Sequence, residues 1–119
     1  MRTLLITLIM SLVGFTSAQA GCADRTTQAA MNSCAHKAYK KTDHRMNRVY
    51  RMAMKAQSGD HKRALRKAQR SWVAFRDNAC KSYSNLVNGG SARPLMYSSC
   101  LSKLTNERTK MLQMQTLRF

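Results

Sequence analysis

Four cysteines carry the most informative chemistry in this chain. Cys22, Cys34, Cys80 and Cys100 are an even number in a short sequence that begins with an apolar leader, and this combination is typical of an exported domain held by two disulfides. No Cys-x-x-Cys pair is present, and oxidised sulfurs are poor metal ligands. A cysteine nucleophile is disfavoured as well, because that chemistry requires a free thiolate. We therefore expect no metal and no cofactor.

The other reactive side chains do not form a recognisable catalytic set. The five carboxylates are scattered and the three histidines have no HExxH spacing. Arg76-Asp77 is the pair that invites an acid–base interpretation. The simpler interpretation is that Asp77 pairs with Arg76, Arg108 or a helix-end amide and locks two helices together. We therefore predict that the protein is not an enzyme, and keep a weak hydrolase dependent on Asp77 as the alternative.

Residues 1–20 have the pattern of a signal peptide. Arg2 precedes an apolar run, residues 4–15, that is too short to span a bilayer. Ala18-Gln19-Ala20 supplies the small residues that signal peptidase requires, so we predict cleavage after Ala20 and a periplasmic or secreted protein. The alternative is lipoprotein processing at Cys22, which normally requires a leucine-like residue where Gln19 stands.

Residues 21–119 have the length of one small domain. The full chain of 119 residues carries 21 Lys and Arg against five Asp and Glu, a net charge of +16. The leader contributes Arg2 alone, so residues 21–119 carry +15. A domain of this size has a modest core, and so high a charge favours anionic partners.

Three amphipathic segments predict an all-α fold. Apolar residues recur with a period near 3.6 over about 26–57, 65–87 and 94–111. The third stripe contains Tyr97, Leu101, Leu104, Arg108 and Met111. Either Thr26 or Thr27 can cap the first helix. We expect three antiparallel helices with short connections, forming a small hairpin or bundle stapled by two disulfides.

Helix geometry favours Cys22–Cys34 with Cys80–Cys100 among the three possible connectivities. Cys80 lies about eight residues before the glycine pair and Cys100 six after Pro94. At about 1.5 Å per residue, the two lie at similar heights on neighbouring antiparallel helices. The extended residues after Cys22 can fold back over two helical turns to reach Cys34. Each bridge closes a short loop and contributes about 3 kcal/mol in the chain-entropy model.

Basic side chains concentrate where the first helix ends and the second begins. This basic patch comprises Arg45, Arg48, Arg51, Lys55, Lys62, Arg63, Arg66 and Lys67. One interpretation is a solvated helix face; the other is a contact with lipopolysaccharide phosphates or an anionic membrane surface. Nucleic acid is the poorest fit, because aromatic residues do not interleave with the basic ones. Membrane insertion is disfavoured because the apolar stripes are needed for the core.

Three motifs follow one another along the chain. They are Thr27-Gln28-x-x-Met31-Asn32-x-Cys34-Ala35, Ala68-Gln69-x-x-Trp72-x-x-Phe75-Arg76-Asp77-x-x-Cys80 and Gly89-Gly90-Ser91-x-x-Pro94-x-x-Tyr97-x-x-Cys100. In residues and order they resemble the LprI-type lysozyme-inhibitor family of bacterial exported proteins. The resemblance spans nearly all of residues 21–119 and implies a small helical periplasmic or envelope protein, of a family whose best-known activity is lysozyme inhibition. The acidic residues usual in the family are nearly absent here, and like charges repel across an interface.

Several signature residues have expected structural roles. We expect Trp72 and Phe75 to be core anchors. We expect Gln69 and Asn47 to make buried hydrogen bonds between helices, since buried polar groups need partners.

The segment Asn88, Gly89, Gly90, Ser91 and Arg93 is the candidate binding loop, because it is an exposed turn beside a helix start and a disulfide. It lacks the strand–loop–helix context of a phosphate-binding loop. The sequence therefore predicts a protein that acts by binding, with steric inhibition of lysozyme as the leading function. The alternative is a polyanion-binding module for lipopolysaccharide or other anionic envelope components.

Overall fold

The computed structural model describes residues 21–87 and 89–117, whose secondary structure consists of three helices. These are α1 (Gln28–Ala56), α2 (Gly59–Ser84) and α3 (Arg93–Met114). The all-α prediction is confirmed, and the helix bounds lie close to those expected. The predicted signal peptide and its cleavage site lie outside the described residues.

Local sequence explains where the helices begin. The side-chain oxygen of Thr27 accepts a hydrogen bond from the backbone N–H of Ala30 at 3.1 Å, which caps α1. Gly59 starts α2 with φ +53°, a left-handed geometry that glycine adopts without strain. Pro94 lies in the first turn of α3, where the missing N–H costs no helical hydrogen bond.

α3 is the helix against which the other two pack. α1 and α3 run parallel and are joined at both ends. Asn32 Nδ2 donates to the Ser91 carbonyl at 2.9 Å, and Gln57 Nε2 donates to the Gln115 carbonyl at 3.0 Å. α2 runs antiparallel to both, packs on α3 and meets α1 far less extensively. This arrangement leaves a groove between α1 and α2.

The apolar core is small and lies towards the end of α1. Met46, Ala53, Leu65 and Leu112 form its buried cluster, with Trp72 among the residues packed against it. The remaining buried face of α3 is rich in hydroxyl side chains: Ser98, Ser102, Thr105 and Thr109. Such small side chains allow neighbouring helices to approach closely.

Both predicted disulfides are confirmed. Cys22–Cys34 ties the segment before α1 to that helix, and Cys80–Cys100 ties the end of α2 to the start of α3, each with Cα atoms 5.5 Å apart. Cys80 is completely buried. Within residues 21–87 and 89–117, no helix is both long and apolar enough to cross a membrane.

Candidate functional site

Arg76 is the centre of a buried polar cluster that joins all three helices. Its Nη1 donates to Asp43 Oδ1 of α1 at 3.0 Å and to Thr105 Oγ1 of α3 at 3.2 Å. Its Nε donates to Asp77 Oδ1 on its own helix at 2.9 Å. Asp77 thus pairs with Arg76, one of the three partners predicted for it. Arg76 has a second carboxylate partner, Asp43, which the sequence analysis did not predict.

The guanidinium groups of the two buried arginines, Arg76 and Arg108, lie over the faces of aromatic rings. The Arg76 Cζ lies 5.5 Å from the ring centroid of Tyr39 and 5.3 Å from that of Trp72. The Arg108 Cζ lies 5.9 Å from the same Trp72 ring. These distances fall in the cation–π range. Trp72 thus packs against the core, as predicted, and also lies within cation–π distance of two guanidinium groups.

Gln69 makes the buried interhelical hydrogen bond that the sequence predicted. Its Oε1 accepts from Arg108 Nε at 2.9 Å, and its Nε2 points at Met46 Sδ at 3.6 Å. Arg108 Nη2 is buried and has no hydrogen-bond partner among the described residues. The prediction for Asn47 is wrong. Its Nδ2 donates to Asp43 of the same helix at 3.2 Å, because the side chain lies beside α1 and does not cross to another helix.

These surroundings shift three pKa values. Burial lowers the pKa of the Arg108 guanidinium. Burial acts on Arg76 in the same direction, but hydrogen bonds to Asp77 and Asp43 more than offset it and the Arg76 pKa lies above its usual value. Burial raises the pKa of Tyr39, against the opposing effect of Arg76. Burial therefore disfavours the charged forms of Arg108 and Tyr39, whereas the hydrogen bonds to the two carboxylates favour the charged form of Arg76.

Phe75 is not the core anchor that its spacing predicted. Its side chain is 60% exposed, because it lies on the side of α2 that turns away from the core. Large apolar side chains also reach solvent further along, with Tyr83 at the end of α2 49% exposed and Leu86 just beyond it 75% exposed. Exposed apolar side chains of this size commonly mark contact surfaces when they cluster.

The candidate binding loop forms the turn between α2 and α3. Gly89 has φ +59° and open space around its Cα. The Ser91 carbonyl is held by Asn32, and Arg93 is exposed and bonded to the Asn85 side chain. Asn88 lies outside the described residues. Since the Cys80–Cys100 bridge also closes this segment, the turn is fixed to the helices at both ends.

The segment between Lys81 and Arg93 is uncharged, in an otherwise highly basic chain. Residues 82–92 contain no charged side chain, although the sequence carries 21 Lys and Arg. We name Tyr83, Leu86 and the turn from Gly89 to Arg93 the turn surface. The sequence already shows that this segment lacks charged residues. That signal could have added Tyr83 and Leu86 to the candidate binding loop, which the prediction began at Asn88.

Only some residues of the predicted basic patch line cavities on the surface. Seven of its eight side chains are exposed and Lys62 is half-buried. Arg48 and Arg51 line a cavity of about 500 Å³ with His44, Asn47 and Tyr50. Tyr50 also lines a second cavity, of about 450 Å³, with Arg66, Arg70, Gln69 and Val73. We name these two adjoining cavities the arginine groove. The other five patch residues line neither cavity, and Arg70 and Tyr50 are members that the prediction lacked.

Metal chemistry finds no support in the described part of the chain. No group of three or more His, Cys, Asp or Glu side chains comes together there in a way that could hold an ion.

The fold and these surfaces define a small, disulfide-stapled, all-α domain. A family model described as lysozyme inhibitor LprI matches residues 20–112, most of the chain. An uncharacterised protein of Rhizobium meliloti (strain 1021) is 32% identical, over 77% of this chain and 76% of that protein. No solved structure matches. The chain belongs to the LprI family.

Proposed function

We propose that this protein is an exported, non-enzymatic inhibitor that occupies the substrate cleft of a lysozyme with its turn surface. Signal-peptide cleavage after Ala20 leaves residues 21–119 as a single domain that acts by binding. Membership of the LprI family supports the activity. The observation that carries the proposed contact is the turn itself: exposed apolar side chains beside a glycine turn that is anchored by a disulfide and carries Arg93 as its one charged residue.

The turn surface has the chemistry of a cleft-binding element. Aromatic and arginine side chains are enriched among the residues that dominate binding energy at protein interfaces, and Tyr83 and Arg93 provide one of each. Glycoside hydrolases commonly flank the scissile bond with two carboxylates. An exposed guanidinium such as that of Arg93 can form charge-assisted hydrogen bonds with those carboxylates. The apolar side chains of Tyr83 and Leu86 would then cover the walls of the cleft.

The distribution of charge makes this contact compatible with a basic lysozyme. The turn surface lies away from the arginine groove, since Tyr83 and Arg70, the groove arginine nearest to it along α2, are thirteen residues apart, about 20 Å at 1.5 Å per residue. That separation is more than two Debye lengths at physiological salt, about 8 Å each. Repulsion between the groove and the enzyme is therefore strongly screened when the turn surface makes the contact.

An inhibition assay tests this function. The oxidised protein is titrated against a c-type lysozyme with a soluble fluorogenic substrate, because a cationic protein can coat anionic cell walls and imitate inhibition. We expect saturable, stoichiometric inhibition that changes little as salt is raised, since the contact is mainly apolar. Full enzyme activity at a large molar excess of the protein would contradict the proposal.

A second candidate function is the binding of anionic envelope components. The observation that favours it is the arginine groove, in which arginines of the basic patch from two helices line two adjoining cavities. Salt dependence separates the two functions, because binding to a polyanion releases counterions and weakens steeply as salt rises. Retention of polyanion binding at high salt would contradict this second candidate.

A further inference from the structure

We propose that the arginine groove is a binding site for a phosphorylated saccharide, presented as the headgroup of an envelope glycolipid. This inference rests on the second candidate function and adds to it a defined site and a ligand class. The site consists of Arg48 and Arg51 from α1 and Arg66 and Arg70 from α2, on either side of Tyr50.

Tyr50 of α1 joins the two cavities of the groove, because it lines both of them. The first cavity, of about 500 Å³, is formed by side chains of α1 alone, including Arg48 and Arg51. The second, of about 450 Å³, lies between Tyr50 and α2, which supplies Arg66 and Arg70, where the two helices meet sparingly. Two pairs of arginines from two helices therefore line adjoining cavities around one tyrosine.

The positive charge of the groove is not neutralised within the described residues. Their ion pairs join Arg63 to Asp60 and Arg76 to Asp43 and Asp77, and none of these involves a groove arginine. Two of the five carboxylates in the chain, those of Asp43 and Asp77, are bound to Arg76, and Asp43 also accepts a hydrogen bond from Asn47 beside the groove. A concave site lined by one sign of charge concentrates counterions and anionic ligands.

The side chains of the groove specify more than a single anion. A planar guanidinium suits two-point hydrogen bonding to phosphate oxygens, and two pairs of arginines match a ligand with at least two phosphate groups. The Asn47 amide and the Tyr50 hydroxyl offer donors and acceptors for sugar hydroxyls, and Val73 with the Tyr50 ring offers apolar surface for a sugar face. Nucleic acid fits less well, because one tyrosine does not make a platform for successive bases.

The test compares two variants with equal loss of charge. The groove variant combines Arg48→Gln, Arg51→Gln, Arg66→Gln and Arg70→Gln. The control variant combines Arg45→Gln, Lys67→Gln, Lys103→Gln and Lys110→Gln, all exposed positions that line neither cavity. Circular dichroism and thermal unfolding of both variants verify that the helices are retained. Calorimetric titration with lipopolysaccharide at physiological salt measures the dissociation constant.

We expect the groove variant to bind lipopolysaccharide at least about tenfold more weakly than the wild type, which corresponds to about 1.4 kcal/mol, and the control variant to change much less. Dephosphorylated lipopolysaccharide should bind the wild type poorly, and the delipidated, still phosphorylated glycan should compete. Equal weakening of the two variants would overturn the groove while leaving general polyanion binding in place. No binding by the wild type to any polyanion would overturn both.

Two further ligands separate the sources of phosphate. Vesicles of phosphatidylglycerol carry phosphate without the saccharide, and a single-stranded oligonucleotide carries a linear phosphate chain. We expect both to bind the wild type more weakly than lipopolysaccharide and to discriminate little between the groove and control variants. Tighter binding of either one, with the same selective loss in the groove variant, would overturn the saccharide assignment.

Discussion

The Arg76 guanidinium of α2 donates to the Asp43 carboxylate of α1 over 3.0 Å and thereby joins two helices that otherwise meet little. The same guanidinium contacts Asp77 on its own helix and Thr105 on α3. The Arg76-Asp77 pair of the signature therefore has a structural role, because Arg76 connects the three helices. Its contacts fix α2 to both α1 and α3 between the arginine groove and the turn surface.

Replacing Arg76 should destabilise the protein more than replacing Arg108. Arg76→Met leaves two partly exposed carboxylates without their partner and removes charge-assisted hydrogen bonds, at a cost of about 2 kcal/mol. Arg108→Met removes a guanidinium that has no carboxylate partner among the described residues and leaves one acceptor, on Gln69, to be satisfied, at a cost of about 1 kcal/mol. Urea unfolding of both variants measures the difference. Equal or reversed losses would contradict this account of the cluster.

The two aromatic residues of the signature should behave differently when truncated. Trp72→Ala removes packing against the core and the ring that faces two arginines, and should cost about 3 kcal/mol. Phe75→Ala removes a side chain that is 60% exposed, and should change the free energy of unfolding by less than about 0.5 kcal/mol. The same urea titration measures both. A large loss for Phe75→Ala would restore the core role that its spacing predicted.

The two disulfides should differ in what they support. Replacing Cys80 and Cys100 by alanine should lower the free energy of unfolding by about 3 kcal/mol and weaken inhibition, since that bridge anchors the turn surface. Replacing Cys22 and Cys34 by alanine should spare inhibition, because that bridge secures the exposed segment before α1. Thermal unfolding and the soluble-substrate assay provide the measurements. Loss of inhibition only in the second variant would place the binding surface elsewhere.

Tyr39 should make the protein less stable in alkali. Its pKa is raised in the folded state because burial opposes ionisation of the phenol. Its contribution to stability is therefore full below the unfolded tyrosine pKa of about 10, and is lost as pH rises through the folded-state value. Tyr39→Phe keeps the ring beside Arg76 and removes the titration. We expect the wild type to lose more unfolding free energy than Tyr39→Phe between about pH 9 and 11, and parallel losses would contradict the assignment.

The sequence predicts the helices and disulfides well because those features depend on short spacings. The glycines, Pro94 and the apolar period locate the breaks, and helical rise alone brings Cys80 beside Cys100. The inner face of α3 is harder to predict. Its buried residues include the polar Ser98, Ser102, Thr105 and Thr109, whereas the apolar Met111 is exposed. Small hydroxyl side chains let helices pack closely, and a search for the spacing of apolar residues does not detect them.

The surfaces are predicted less completely than the fold, for a related reason. Phe75 fits the apolar period and still lies in solvent, since which side of α2 meets α3 depends on tertiary packing. The basic patch groups charges by their order along the chain, whereas the arginine groove groups them by the cavities that they line. Its second cavity brings Arg66 and Arg70 of α2 beside Tyr50 of α1, and this depends on how the helices pack.

The most direct test of the proposed inhibitor uses two matched variants at opposite ends of the molecule. Tyr83→Ala with Leu86→Ala truncates the turn surface, and Met114→Ala with Leu117→Ala truncates similarly exposed apolar side chains near the end of α3. Each is titrated against lysozyme with the soluble substrate. We predict that the first variant loses at least about tenfold in inhibition constant and that the second matches the wild type. Undiminished inhibition by the Tyr83/Leu86 variant would contradict the account.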